Sequence, residues 1–161
     1  MAWPEVHSVV EERMVILALD YGEKRIGVAA SDPLGAAAHG LPTILADESG
    51  SEMDRIAAVV AERKAELILV GLPMNMDGTE GPQARKARGF VKRLGRRVPG
   101  VAIEMVDERL TSAQAHRELS REGAGMRERA ERVDRMAAQL ILTKYLNRRR
   151  PDAGADDAQN P

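Results

Sequence analysis

The sequence has 161 residues and a formal net charge of −1. That length suits one domain of ordinary size, and the balance of charge leaves no uniformly basic coat, so contact with nucleic acid must come from a local patch. There is no cysteine, which excludes disulfides, iron–sulfur clusters, cysteine zinc fingers and thiol catalysis. Three scattered histidines (His7, His39 and His116) are poor material for an all-histidine metal site. The four aromatics (Trp3, Tyr21, Phe90 and Tyr145) are too few for a module that stacks bases on aromatic platforms.

In chain order, residues 1–13 are polar and read as a flexible leader. Residues 14–19 (MVILAL) are continuously apolar, as befits a central strand covered on both faces, and end at Asp20. The turn 21–24 returns the chain as a second strand over 25–30, and a weaker third strand falls within 36–45. Residues 51–64 carry Met53, Ile56, Ala57, Val60 and Ala61 at helical spacing. Another buried strand, 67–70 (LILV), is expected to stop at Gly71 and Pro73. A helical polar pattern covers 82–97, ended by Pro99-Gly100, and a strand follows at 101–106. Thr111 or Ser112 can cap a helix reaching Gly123. A last helix spans 133–146, apolar at Val133, Met136, Ala137, Leu140, Ile141 and Tyr145. The tail 151–161 holds three aspartates and no basic residue, and is expected to be disordered. No apolar run approaches the ~20 residues of a membrane helix, and no signal peptide opens the chain, so no membrane role and a cytoplasmic location are expected.

Strands 14–19, 67–70 and 101–106 are joined by helix-length crossovers and are therefore parallel neighbours, while the two hairpins extend the sheet antiparallel on the other side. The fold class is α/β: a mixed five-stranded sheet with helices on both faces, formed by residues 14–150. The three parallel strands share one carboxyl edge, where open α/β sheets bind ligands. Asp20, Gly71-Leu72-Pro73 and Asp107-Glu108 lie at that edge. Asp134 opens the apolar face of the last helix, at helical spacing from Ala137, Ala138, Ile141, Leu142 and Tyr145, and so points toward the sheet. Each acid alone has a bland reading. Asp134 can complement a helix dipole, Asp20 can make a turn, and Asp107-Glu108 can be a solvated strand end. Those readings leave the convergence unexplained. Carboxylates closing on one point are a ligand set for Mg²⁺ or Mn²⁺, and a pair of such ions can flank a phosphodiester.

Residues 84–97 carry seven Lys/Arg and no acid. This is either a solvated face or a phosphate contact, and the single sign favours phosphate, with Arg85, Lys86 and Arg88 as candidate contacts. Arg25, Arg109, Arg127, Arg129 and Arg132 flank the acids, although 121–132 mixes signs. The polar, glycine-containing loop 74–79 belongs to the same edge and offers Asn75 to a substrate. His39 and His116 stand isolated.

Four segments, LALDYGEKRIGVAASD (17–32), LILVGLPMNMDGTEG (67–81), VDERLTS (106–112) and VDRMAAQLILTKYL (133–146), together resemble the YqgF family. Its members, also called RuvX, are pre-16S ribosomal RNA nucleases earlier proposed as Holliday-junction resolvases. The resemblance implies a ribonuclease H-like fold, cytoplasmic location and a metal-dependent cut of a phosphodiester. It places metal-binding, catalytic acids at Asp20, in the triplet Asp107-Glu108-Arg109, and at Asp134. Within the triplet, Glu108 is preferred for its reach and Asp107 stands second. Lys24, Arg25 and Arg109 match basic positions that contact phosphate or steady the carboxylates. The leader and residues 148–161 fall outside the resemblance.

Three functions are then in competition. The first is a Mg²⁺- or Mn²⁺-dependent nuclease on structured precursor ribosomal RNA. The second is the same chemistry on branched DNA, which calls for a two-fold dimer. The third is a non-catalytic nucleic-acid or ribosome-associated module. A monomer or weak homodimer is expected, since the last helix can bury its stripe within the domain. The sugar kinase and actin superfamily also carries an Asp-x-Gly loop, but it needs two such domains.

Overall fold

The computed structural model describes residues 14–109 and 127–149. Five strands, β1 (Ile16–Tyr21), β2 (Arg25–Ser31), β3 (Ala38–Leu45), β4 (Leu67–Leu72) and β5 (Ala102–Asp107), form one sheet in the order β3-β2-β1-β4-β5. β1 pairs antiparallel with β2, and β2 with β3, while β1–β4 and β4–β5 are parallel. This is the mixed α/β sheet expected from the sequence.

Among the described residues three helices cover it: α1 (Ser51–Arg63), α2 (Pro82–Arg97) and α3 (Arg127–Arg149). Strand alternation sorts the side chains into two cores. Leu17, Leu19, Ile68 and Val70 face α1 and α2 with Ile56, Phe90 and Leu94. Ile16, Ala18, Leu67 and Leu69 face α3 with Ala138, Ile141 and Leu142. The fully apolar run of β1 follows from that double burial.

α3 comes close to the sheet because both surfaces are made small where they meet. On the helix these are Ala137 and Ala138, both buried. On β2 they are Gly27 and Ala29, and on β3 Gly40, whose missing side chain leaves room for the Arg135 stem.

Most boundaries shift by one or two residues, and β1 runs to Tyr21, so Asp20 lies within the strand rather than just past it. β4 runs on through Gly71 and Leu72, which pair with Val106 and Asp107; a glycine in a central strand keeps its ladder when both neighbours hold it. α3 starts at Arg127 rather than 133. Its first turns are polar, so no apolar period announces them. Met136, expected on the apolar stripe, is 43% exposed, and the buried set is Ala137, Ala138, Ile141, Leu142 and Leu146. The leader, the helix expected between 111 and 123, and the tail lie outside the described residues. No described helix is long and apolar enough to cross a membrane.

Candidate catalytic site

Asp20 is the fifth residue of β1. Alternation from Ile16 and Ala18 turns it to the α3 face, and it is only 3% exposed. Its antiparallel partner across the sheet is Gly27. On the other side, one step beyond the Leu19–Val70 pair, stands Gly71. Asp20 is thus flanked on both sides by residues without side chains.

Other acids fill the space those glycines leave. A methyl group on Gly27 would sit 2.1 Å from the backbone oxygen of Asp134, so α3 rests its Asp134 turn directly on β2 beside Asp20. A methyl group on Gly71 would sit 1.7 Å from Glu108 Oε1 and 2.5 Å from Glu108 Cδ. Glu108 follows the last residue of β5, donates its backbone N–H to the Leu72 carbonyl at 3.2 Å, and is 1% exposed. Its side chain lies over β4 on the face that Asp20 uses. Asp20, the Glu108 side chain and the Asp134 backbone therefore gather around one row of the sheet. Burying the first two costs free energy that a cation would offset.

Asp134 is held by an arginine. Arg25 Nε donates to Asp134 Oδ2 at 2.9 Å, with the Asp134 side chain 15% exposed. Among the described residues no three His, Asp or Glu side chains already close into a ready-made metal cage. The donor set still suits a hard divalent cation. It is all carboxylate oxygen, the donor type such an ion prefers.

Asp107 turns the other way. Its Oδ1 accepts the Arg109 backbone N–H at 2.9 Å and its Oδ2 accepts Arg109 Nε at 2.9 Å. Those bonds hold its carboxyl below the ordinary range. Of the two neighbouring acids, Glu108 occupies the notch and Asp107 is spent on Arg109. Arg109 also lies against Gly78 and the charge of Asp77, joining the end of β5 to the loop after β4.

That loop is closed on itself. Asn75 N–H donates to the Thr79 carbonyl at 2.9 Å, Asn75 Nδ2 to Thr79 Oγ1 at 3.0 Å, and Thr79 N–H to Asp77 Oδ1 at 2.9 Å. Asn75 is exposed but committed to the turn. Lys24 and Arg85 are exposed at the same edge. Lys86 is ion-paired with Glu23 of the β1–β2 turn. Arg88 forks onto Glu80 through its Nε at 2.9 and 2.8 Å. The two glycines are the part that sequence reading missed. Their signal was available: an isolated glycine inside an apolar strand marks a close approach.

A family model described as RuvX, Holliday junction resolvase, matches residues 14–148. A protein of Crocosphaera subtropica named "Putative pre-16S rRNA nuclease" is 43% identical over 139 residues, which is 86% of this chain and 96% of that one. A Syntrophus aciditrophicus protein of the same name is 44% identical over 134 residues, covering 83% and 89%. Among solved structures, T. thermophilus RuvC in complex with a Holliday junction substrate superposes with a TM-score of 0.51 at 16% identity, covering 84% of this chain and 95% of that one. That likeness gives the fold, the ribonuclease H-like arrangement of the RuvC type. Match, identity and sheet order agree that this chain belongs to the RuvX family.

Proposed function

We propose that the protein is a divalent-metal-dependent nuclease that hydrolyses phosphodiester bonds, with precursor 16S ribosomal RNA in the cytoplasm as its substrate. One observation carries the reading. Three acids far apart in sequence, Asp20, Glu108 and Asp134, are brought to the carboxyl edge of one sheet face, around the row Gly27–Asp20–Gly71. The names of its relatives supply the substrate.

In this reading Asp20, Glu108 and Asp134 hold Mg²⁺ or Mn²⁺. A divalent cation bound there stabilises charge on the phosphoryl oxygens and lowers the pKa of a water. Asp20 is the rigid member, fixed on a central strand. Arg25 orients Asp134 through its 2.9 Å hydrogen bond and offers its remaining donors to a phosphate. Asp107 keeps Arg109 extended along the edge, and Lys24 and Arg85 face solvent where the polyanion must arrive. Hydrolysis adds a water oxygen to phosphorus and releases the 3′ oxygen, which takes the proton.

Purified protein incubated with precursor RNA and either cation tests this against Asp20→Asn. Cleavage is expected to fall at least about a hundredfold in the variant, as losing a ligand costs no less than losing its support. Equal cleavage by both forms overturns the mechanism. The description of the family favours one second reading, the same chemistry on branched DNA. A four-way junction in parallel reactions separates the two, since a resolvase cuts the junction and spares the precursor.

A further inference from the structure

The sequence of α2 holds seven cations, and the fold divides them by angle around the helix. The buried side is Ala84, Ala87, Phe90 and Leu94. On its two flanks the cations are spent. Lys86 pairs with Glu23 and Arg97 with Asp54 (2.8 Å) on one side, and Arg88 with Glu80 on the other. Opposite the buried side, Arg85, Gly89, Lys92 and Arg96 fall at i, i+4, i+7 and i+11, a single line along the crest. The three cations of that line are exposed, and Arg93 stands exposed beside it. Lys92, Arg93 and Arg96 form no ion pair among the described residues. Arg85 only adds its field to the Arg88–Glu80 pair. At Gly89 a side chain would meet open space, so the line has a gap where a backbone can come close.

We propose that this crest is a second nucleic-acid contact, a strip that binds the phosphodiester backbone away from the cleavage point. It rests on the nucleic-acid part of the reading above and extends it. A solvated helix face normally mixes both signs, so that its charges neutralise one another. Here the acids of three neighbouring segments neutralise the flanks and leave the crest alone. On a molecule of net charge −1 such a strip is a local feature, complementary to a polyanion. It begins at the carboxyl edge of the sheet with Arg85 and runs about 16 Å toward the opposite edge at 1.5 Å per residue. It lies on the α1–α2 face, whereas Asp20, Glu108 and Asp134 use the α3 face. A nucleic acid touching both must turn around the sheet edge, which selects a folded or branched polymer over a short linear one.

Binding without cleavage tests this. The full chain in EDTA is titrated with a fluorescent stem-loop RNA, and separately with a DNA of the same sequence, between 50 and 200 mM salt. In Lys92→Gln/Arg96→Gln the Kd is expected to rise roughly tenfold, with the log–log salt slope shallower by about 1.5. A loss in the RNA arm, the DNA arm or both supports the strip and names the polymer it holds. Arg148→Gln/Arg149→Gln removes equal charge from the end of α3 and should change Kd less than about twofold. The charge-keeping pair Lys92→Arg/Arg96→Lys should retain wild-type binding. An unchanged Kd and slope in Lys92→Gln/Arg96→Gln overturns the strip, as does an equal loss in the α3 variant. Because no turnover is read, the outcome is independent of whether the protein cleaves.

Discussion

A methyl group on Gly27 would meet the Asp134 carbonyl, and that oxygen belongs to helix backbone, which cannot rotate away as a side chain can. A methyl group on Gly71 meets the Glu108 side chain instead, which has torsions to yield with. Gly27→Ala is therefore expected to cost about 1–3 kcal/mol of stability or more, as overpacking does. Gly71→Ala should cost less in Tm, and move the Glu108 carboxylate. Thermal unfolding of the two variants side by side checks the order, and a Gly71→Ala loss as large as that of Gly27→Ala contradicts it. The acids themselves were legible in the sequence. Asp20 ends a continuous apolar run and Asp134 heads an apolar helix face, and both are costly places for charge. Glu108 was preferred over Asp107 for its reach, and the fold turns Glu108 toward Gly71 and Asp107 toward Arg109. The glycines could be read as marks of close approach but not what approaches them, because that depends on which distant group fills the space. The Arg25–Asp134 pair was half legible: Arg25 was read as steadying an acid or meeting phosphate, with the acid unnamed.

Between elements, Arg109 ties the end of β5 to the loop after β4 by holding Asp107 and leaning on Gly78 beside Asp77. Arg109 hydrogen bonds depress the Asp107 carboxyl below its unfolded value, so the pair stabilises the fold above that value and is lost as pH falls through the folded one. Arg109→Gln is accordingly expected to lower Tm at pH 7, and the difference from wild type should shrink toward zero below about pH 4, near the ordinary Asp pKa. Thermal scans of both proteins across pH 3–7 check it, and a difference that persists undiminished at pH 3 refutes the pairing as its source. Helix existence was legible wherever an apolar face repeats, as in α1 and the later turns of α3. It failed for the first turns of α3, which carry charge and no stripe. In α2 the surplus of cations was plain from composition, but not which were spent. Glu23, Asp54 and Glu80 come from a turn, another helix and a loop, and only the folded sheet sets them beside the helix.

For the molecule as a whole, the proposed site would couple metal binding to folding, since each of its acids rides on a different element. A divalent ion held by Asp20, Glu108 and Asp134 binds the native chain and not the unfolded one. At a hundred times its Kd it should add about 2.7 kcal/mol of stability. Tm is thus expected to rise with added Mn²⁺ in the wild type and to stay nearly flat in Asp20→Asn, in differential scanning fluorimetry with EDTA as baseline. An equal rise in both would place the ion elsewhere. The mixed sheet order was legible because crossover lengths force parallel neighbours and short turns force hairpins.

The docking of α3 on Gly27 also brings together two distant ends of the described structure. Asp20 lies on its first strand and Asp134 on its last helix. Should these acids form the proposed site, a fragment lacking residues 127–149 keeps the first acid and lacks the third.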